Sequence, residues 1–529
     1  FSGTTFNGTS GTGRFIAVDQ SKIIPSRFGV VGAADDTNTL LRCVNALADG
    51  ATIFLDKNQT YLLDDNGAAY ATLTFSGLSN IQIEGNGATI KAKNGMSADN
   101  GTNLLYFVTC DHVTIRNLIV DGNRDNRSPS GEKTTYNLNF EDCDYFTLEN
   151  VASINSCIDG FYLNSTDIDD PTTYCTNFVM TNCHANNNWR QGMSIINAYN
   201  VSVIGGEFTN TNGTAPQAGI DIEANSATST SGEKVNKSIH IKGARFYGNA
   251  GTGIVCSGQN QAGITIEGCE FYDNDGGACD ISSQTTFTAN YVHGHSASSL
   301  NALVQVSAST YANGSIISKN RFESNSVAKP CIYTHSVASG IVISDNTAND
   351  CDYFLNAWAS TCYVAGNHMN DPRNTGIGFA STTSTNTTYV GNTCKNWIGR
   401  AMYIEGSPVI EGNHFLDGSS IGFAALDCQG GVVLARGNFI TNTSSTAGLA
   451  VRSASGVTVI FDGNYVSNFS TDWASPNSGI LVISHTGSGS PETVLSSSIG
   501  SRFYRTNGGT STVMYVKETG TGNTGWVAK

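Results

Sequence analysis

A short phrase recurs along most of this chain, and its period governs what the chain can fold into. Runs such as VTIRNLIVDGN, VSVIGGEFTN, IHIKGARFYGN and ITIEGCEFYDN each end at a polar corner bearing asparagine, and each is followed by another short apolar run. The corner residues Asn346, Asn367, Asn392, Asn413, Asn438 and Asn464 stand 21 to 26 residues apart, a spacing typical of solenoids rather than compact domains. Within each repeat the apolar residues alternate, as at Val113 and Ile115 or Ile264 and Ile266. They are mostly β-branched or aromatic, types that suit a pleated, half-buried surface. Some two dozen residues hold about three short strands with turns between them, which is one rung of a parallel β-helix; the Leu ladder and helices of a leucine-rich repeat are missing. Gly-Asn and Asp-Asn pairs such as Gly122–Asn123, Gly248–Asn249, Asp345–Asn346 and Gly412–Asn413 supply the positive backbone angles of tight corners. Stacked corner asparagines are expected to bond to their equivalents one rung away.

The expected class is therefore all-β, with a short N-terminal capping helix and a small C-terminal β region. At 529 residues the chain exceeds a single ordinary core, but a solenoid buries its interior rung by rung and needs no division into compact domains. Charged residues make up only 13 %, so the outer faces rest on neutral Gly, Ser, Thr and Asn, a surface suited to sugars. The balance of 28 basic against 43 acidic residues, −15 overall, opposes a phosphate backbone and excludes nucleic acid as a partner. The 14 cysteines are scattered singly, with no CxxC pair and several in alternating apolar slots, and read as reduced structural thiols. There is no apolar run of about 18 residues, so no membrane insertion is expected, and the opening FSGTTFNGTS lacks the pattern of a secretion signal.

Residues 1–26 read as an extended lead-in, 27–485 as the β-helix with its cap, and 486–529 as a separate C-terminal segment. In FGVVGAADDTNTLLRCVNALADG, Asp35 and Asp36 are placed to cap a helix with Leu40, Leu41, Val44 and Leu47 on its apolar face, stopped by Gly50 and followed by the strand ATIFL. Such a helix would cover the open end of a solenoid. With Tyr61–Leu62 after it, this stretch resembles the opening of pectin-lyase-like right-handed β-helix proteins, and the resemblance covers about residues 27–480. It is specific for fold rather than chemistry. The segment 497–529, SSIGSRFYRTNGGTSTVMYVKETGTGNTGWVAK, is similar to a closing segment of bacteriophage tail and receptor-binding proteins, with Arg502, Tyr504, Tyr515, Val516, Lys517, Gly525 and Trp526 in matching places. Together the two resemble a phage tailspike depolymerase. That resemblance implies a homotrimer in the virion tail, joined to the baseplate or tail through a missing or separate N-terminal region, that binds and degrades a bacterial capsular polysaccharide or O-antigen.

Glycosidic cleavage needs one carboxyl group to protonate the leaving oxygen and a second to activate water or attack. Aligning GFYLNS, GMSIINA, GIDIEAN, GIVCSG and ACDISS puts Phe161/Leu163, Met193/Ile195, Ile220/Ile222, Ile254/Cys256 and Cys279/Ile281 inside. Tyr162, Ser194, Asp221, Val255 and Asp280 then share one outward column, with Glu223 beside Asp221. The pair is two residues apart on one strand, with Cα atoms about 6.5 to 7 Å apart, room for an inverting arrangement. Asp280 falls two rungs on, about 9.6 Å along the axis. Mutual repulsion should raise the pKa of at least one of the three. Asp159, at the start of its rung, is a further catalytic candidate. Trp189 offers a sugar-binding face, Arg190 a fork for a carboxylate or hydroxyls, and Tyr162 a further platform. Each has a plainer reading as a solvated acid or a packed turn residue.

No pattern calls for a cofactor. His293 and His295 lack a third ligand, and Asp167, Asp169 and Asp170 lack calcium-loop spacing and read as a turn. Glu405 and Asp427 are isolated acids on later rungs, able to join a groove only if it lies between subunits. Endo-glycosidic hydrolysis is the leading expectation. A polysaccharide lyase working by β-elimination and a non-catalytic polysaccharide-binding adhesin stand beside it.

Overall fold

The computed structural model describes residues 21–65, 70–97, 102–127, 129, 135–167, 169–170, 172–224, 236–258, 261–296, 301–323, 329–359, 361–371, 377–381, 386–418, 424–442, 449–467, 469, 471–474 and 480–529. Of the expected lead-in, residues 1–20 lie outside these.

Each turn contributes one short strand to each of three long sheets, which have 21, 16 and 16 strands among the described residues. One turn runs through Asp111–Arg116, Ile119–Asp121 and Leu138–Glu141, and the next begins at Asp144–Glu149, paired in parallel onto Asp111–Arg116. The inward residues predicted from the rung alignment are inside: Phe161, Leu163, Met193, Ile195, Ile220, Ile222, Ile254 and Cys256 are fully buried. Equivalent aromatics stack on one another, with Phe75, Phe107 and Phe140 at ring separations of 4.4 and 5.4 Å and Phe208, Phe246 and Phe271 at 5.4 and 4.9 Å. All 14 cysteines are buried thiols outside any disulfide.

The corner asparagines form a continuous ladder. Each donates its side-chain amide to the next Oδ1, at 2.9 Å from Asn346 to Asn367, 2.9 Å from Asn367 to Asn392, 2.9 Å from Asn392 to Asn413 and 3.0 Å from Asn413 to Asn438. The positive φ falls mostly on the residue before the ladder asparagine, at Gly248 (φ 66°) and Asp345 (φ 56°), rather than on the asparagine itself; Asn123 (φ 53°) is the exception among the pairs named above. The preceding residue makes the corner, which frees the asparagine to point inward and satisfy buried polar groups.

At the N-terminal end the helix Thr37–Asn45 buries Leu40, Cys43 and Val44 against the core. Asp35 accepts from the Thr37 amide at 2.9 Å, while Asp36 accepts from the Leu62 amide at 2.9 Å and so ties the helix to the first turn. At the other end the strand Arg502–Arg505 extends the first sheet in parallel, then the chain reverses into the antiparallel strands Met514–Lys517 and Trp526–Ala528. Trp526 is buried, donates its indole N–H to the Leu495 carbonyl at 2.7 Å and packs on Phe503. Glu492 accepts from the amides of Gly525 and Trp526 at 3.0 and 2.7 Å. These contacts explain why Gly525 and Trp526 stand out in the sequence of this segment.

Candidate active site

The second sheet carries the candidate site on its outer face. The parallel register aligns Tyr162 with Ser194, Ser194 with Asp221, Asp221 with Val255, and Val255 with Asp280, as expected. Glycines open these strands for a steric reason. A Cβ on Gly160 would stand 2.6 Å from the Gly192 carbonyl oxygen, and one on Gly192 would stand 2.4 Å from that of Gly219. The residues just before them, Asp159 and Gln191, turn to the outer face. Asp159 accepts from the Ser194 hydroxyl at 2.8 Å, and Gln191 donates its Nε2 to Asp221 Oδ2 at 3.0 Å.

Asp221 does not stand on an open wall: it is 1 % exposed, although its column faces outward, and Glu223 beside it is half-buried. Burial pushes the Asp221 carboxyl up to about 8; the negative charges of Glu223 and Asp159 push the same way, and Arg190 and the Gln191 hydrogen bond offset part of it. The orientation of Gln191 is fixed, because its Oε1 accepts from the Ala218 amide at 2.8 Å, so its Nε2 must face Asp221. One carboxyl oxygen of Asp221 is thus occupied. The other, Oδ1, is buried and without a hydrogen-bond partner. A carboxyl group that keeps its proton near neutral pH holds it on the oxygen that accepts nothing, which leaves an uncommitted O–H donor.

Arg190 and Asp159 form an ion pair, Nη1 to Oδ2, at 3.6 Å beside this carboxyl. Tyr162 stacks on Tyr136 with ring centroids 3.9 Å apart and planes at 5°, and burial pushes the Tyr162 phenol up to about 12. The structure therefore gathers Asp159, Tyr162, Arg190, Asp221 and Glu223. Asp280 is not brought into the cluster. It sits beyond Val255, accepts from the Ser307 hydroxyl at 2.5 Å, and its raised pKa comes from burial rather than from the other acids. Trp189 does not present a free platform, because Gly213 packs on its ring and the Arg124 guanidinium lies 5.7 Å from the ring centre.

Sequence reasoning missed the neighbouring end of the same face. Glu141 is buried and accepts from the hydroxyls of Tyr70 and Tyr106 at 2.7 and 2.6 Å and from Asn139 at 3.2 Å. The alternation of Leu138 and Phe140 carries the signal, since it sends Asn139 and Glu141 outward; Tyr70 and Tyr136 lie outside such runs. Elsewhere, Asp427 is buried between Arg400 and Arg452, which approach at 2.5 Å each, and Glu405 accepts from Tyr403. His293 pairs with Glu270 at 3.0 Å, and His295 is buried against the Asn274 carbonyl at 3.0 Å. Asp167 and Asp170 accept from the amides of Asp169 and Thr172, both at 2.8 Å, as turn residues do.

The architecture is a right-handed parallel β-helix: residues 231–394 match the family described as the right handed beta helix region. No curated protein matches the chain. Among solved structures the chain is similar to PfbA, a surface adhesin of Streptococcus pneumoniae, at 12 % identity over 76 % of this chain and 91 % of that one, TM-score 0.42. It is also similar to a tailspike protein mutant of E. coli bacteriophage HK620 in complex with pentasaccharide, at 12 % identity over 90 % and 81 %, TM-score 0.41. The A-module of the Azotobacter vinelandii mannuronan C-5 epimerase AlgE6 is similar at 15 % identity over 86 % and 100 %, TM-score 0.40.

Proposed function

We propose that this chain is a phage tailspike that binds a bacterial surface polysaccharide, a capsule or O-antigen, and cuts it by endo-glycosidic hydrolysis. The observation that carries the reading is the Asp221 carboxyl: buried, protonated near neutral pH, with Oδ1 uncommitted and a second carboxyl group two residues away. Asp221 gives its proton to the glycosidic oxygen as the bond to the anomeric carbon breaks. Glu223 takes a proton from the water that attacks that carbon; Glu223 then releases that proton to solvent as Asp221 takes one up for the next cycle. Asp159 and Arg190 hold the electrostatics of the site, and the stacked Tyr136 and Tyr162 line the approach for sugar rings.

β-Elimination fits less well. A uronate carboxylate must be neutralised in that reaction, yet Arg190, the cation among the charges acting on Asp221, is already paired with Asp159. The phage assignment rests on the likeness of residues 497–529 to tail proteins. Assembly as a trimer draws support from the first sheet, where the outward column Ile316, Val342, Tyr363, Thr388, Val409, Leu434 and Ile460 is almost wholly apolar. Ile316, Tyr363 and Ile460 are exposed in the single chain.

The test is to incubate purified capsules and O-antigens with the parent chain, Asp221→Asn and Glu223→Gln, and to analyse products by mass spectrometry. Saturated oligosaccharides released by the parent alone support hydrolysis. Products that absorb near 230 nm would assign a lyase, and intact polymer that is nonetheless bound would assign an adhesin.

A further inference from the structure

A concavity lies on the first sheet, a face of the solenoid other than the one that carries Asp221; its column runs on through His240, Thr265 and Thr286 to Ile316, where the apolar stretch begins, and the concavity occupies the polar turns before that stretch. It is a shallow trough open to solvent, of about 430 Å³, within the range of small-ligand sites. Its floor is one outward column across four successive turns, Thr114, Thr147, Val179 and Ser202, aligned in register. These short side chains leave depth above the sheet.

The wall is built by the residue at the corner into this sheet, an irregularity these four turns share with the turns on either side, as at Asn80 (φ 57°) and Ser238 (φ 54°). His112, Tyr145, Asn177 and Asn200 have φ of 52°, 48°, 52° and 54°. In each pair of strands the regular register passes over them, as between Asp111↔Asp144 and Val113↔Phe146. The left-handed region is uncommon for a residue other than glycine, and most of all for an aromatic one. Such residues re-aim a side chain on every turn, and because both strands of a pair carry one, neither gains the extra residue of a β-bulge. Here they form a wall of one kind: the His112 ring stacks on Tyr145 at 4.6 Å, and Asn200 donates to Asn177 at 2.7 Å. Tyr145 is 52 % exposed.

The trough is lined by hydroxyls, amides, one valine, one tyrosine and one histidine, with no acid among them. The acids around it are committed, Asp111 to His112 at 2.8 Å, Asp144 to Asn177 and the Tyr145 amide at 2.8 Å each, and Glu149 to Arg116 at 2.7 Å. What remains is an aromatic face beside amides and hydroxyls, the pairing that meets the apolar face and hydroxyl rim of a sugar ring. We propose that the trough is a second carbohydrate site, one that binds a short neutral oligosaccharide independently of the acid cluster.

Saturation-transfer NMR and calorimetry with maltotetraose, cellotetraose, mannotetraose and chitotetraose test this on the full chain. At least one is expected to bind saturably, equally well to Tyr162→Ala, and at least tenfold more weakly to Tyr145→Ala and to His112→Ala. The second variant keeps the test open if the first fails to fold. Retained binding in Tyr162→Ala, which removes a ring from the approach to the acid cluster, separates this site from the proposed catalytic one. The proposal is overturned if none of the four binds, if both variants bind like the parent, if tetragalacturonate is preferred, or if Tyr145→Ala changes the oligomeric mass, which would make a second copy of the chain the occupant.

Discussion

Gln191 donates to Oδ2 of Asp221 across neighbouring turns at 3.0 Å, and leaves Oδ1 of the same carboxyl group without a partner. The amide of Ala218 fixes which end of Gln191 faces the acid. The asymmetry decides where the proton sits.

If Asp221 is the general acid, activity is expected to fall as pH rises through about 8, the value to which burial and neighbouring charges push it. Asp221→Asn and Glu223→Gln should each lower kcat by a factor on the order of 10² to 10⁴ while retaining polymer binding. Reducing-end assays across pH, with binding measured in parallel, check both statements.

Gln191→Leu removes a hydrogen bond that favours the ionised carboxyl. The alkaline limb of kcat/KM should therefore move to higher pH, with a lower maximum because the acid loses its fixed orientation. A variant that lowers activity without moving the limb would assign Gln191 a purely structural role.

The same carboxyl makes folding depend on pH. Its folded pKa lies above its unfolded value near 4, so between about pH 4 and 8 the unfolded chain releases a proton that the folded chain keeps, and stability falls over that window. Asp221→Asn abolishes this decline. Urea unfolding should find the variant more stable than the parent at pH 8, by on the order of 2 to 5 kcal/mol, with the gap closing near pH 4.

Asn392 lies within the corner ladder. It donates to the Val364 carbonyl and to Asn413 Oδ1 at 2.9 Å each, and accepts from Asn367. Asn392→Ala should cost about 3 kcal/mol, since it strands buried partners on both sides. Asn392→Asp should not rescue it, because an acceptor replaces the donating amide. Denaturant midpoints report the loss.

Paired Val409→Lys and Ile460→Lys substitutions put charge on the apolar column of the first sheet. Light scattering should then show the mass of the proposed trimer falling to that of one chain, while circular dichroism of the strands persists.

The architecture was legible because it is periodic. Ile220 and Ile222 face inward and Asp221 outward by strand alternation alone, and the asparagine spacing gives the corner ladder. Burial of Asp221 was not legible, since alternation tells which way a side chain points but not what packs over it. Asp159 faces the site although alternation from Phe161 would turn it inward; the alternation breaks at Gly160, where a Cβ would meet the carbonyl oxygen of Gly192, 32 residues on. The grouping of Glu141 with Tyr70 joins residues on different turns, and no local pattern announces it. Trp189 was legible as a ring near the site, whereas its cover, Gly213 and Arg124, belongs to other turns.

The stacked architecture also sets a fixed gauge for any polymer lying along the second sheet. Glu141 stands three turns from the strand that bears Asp221, and its partner Tyr106 four; three turns are about 14 Å at the spacing of neighbouring strands. Gain or loss of one whole coil between them would change that interval by a single fixed increment and leave both ends intact. A lineage could thus retune which unit of a repeating chain meets the acid by counting coils, without redesigning either end.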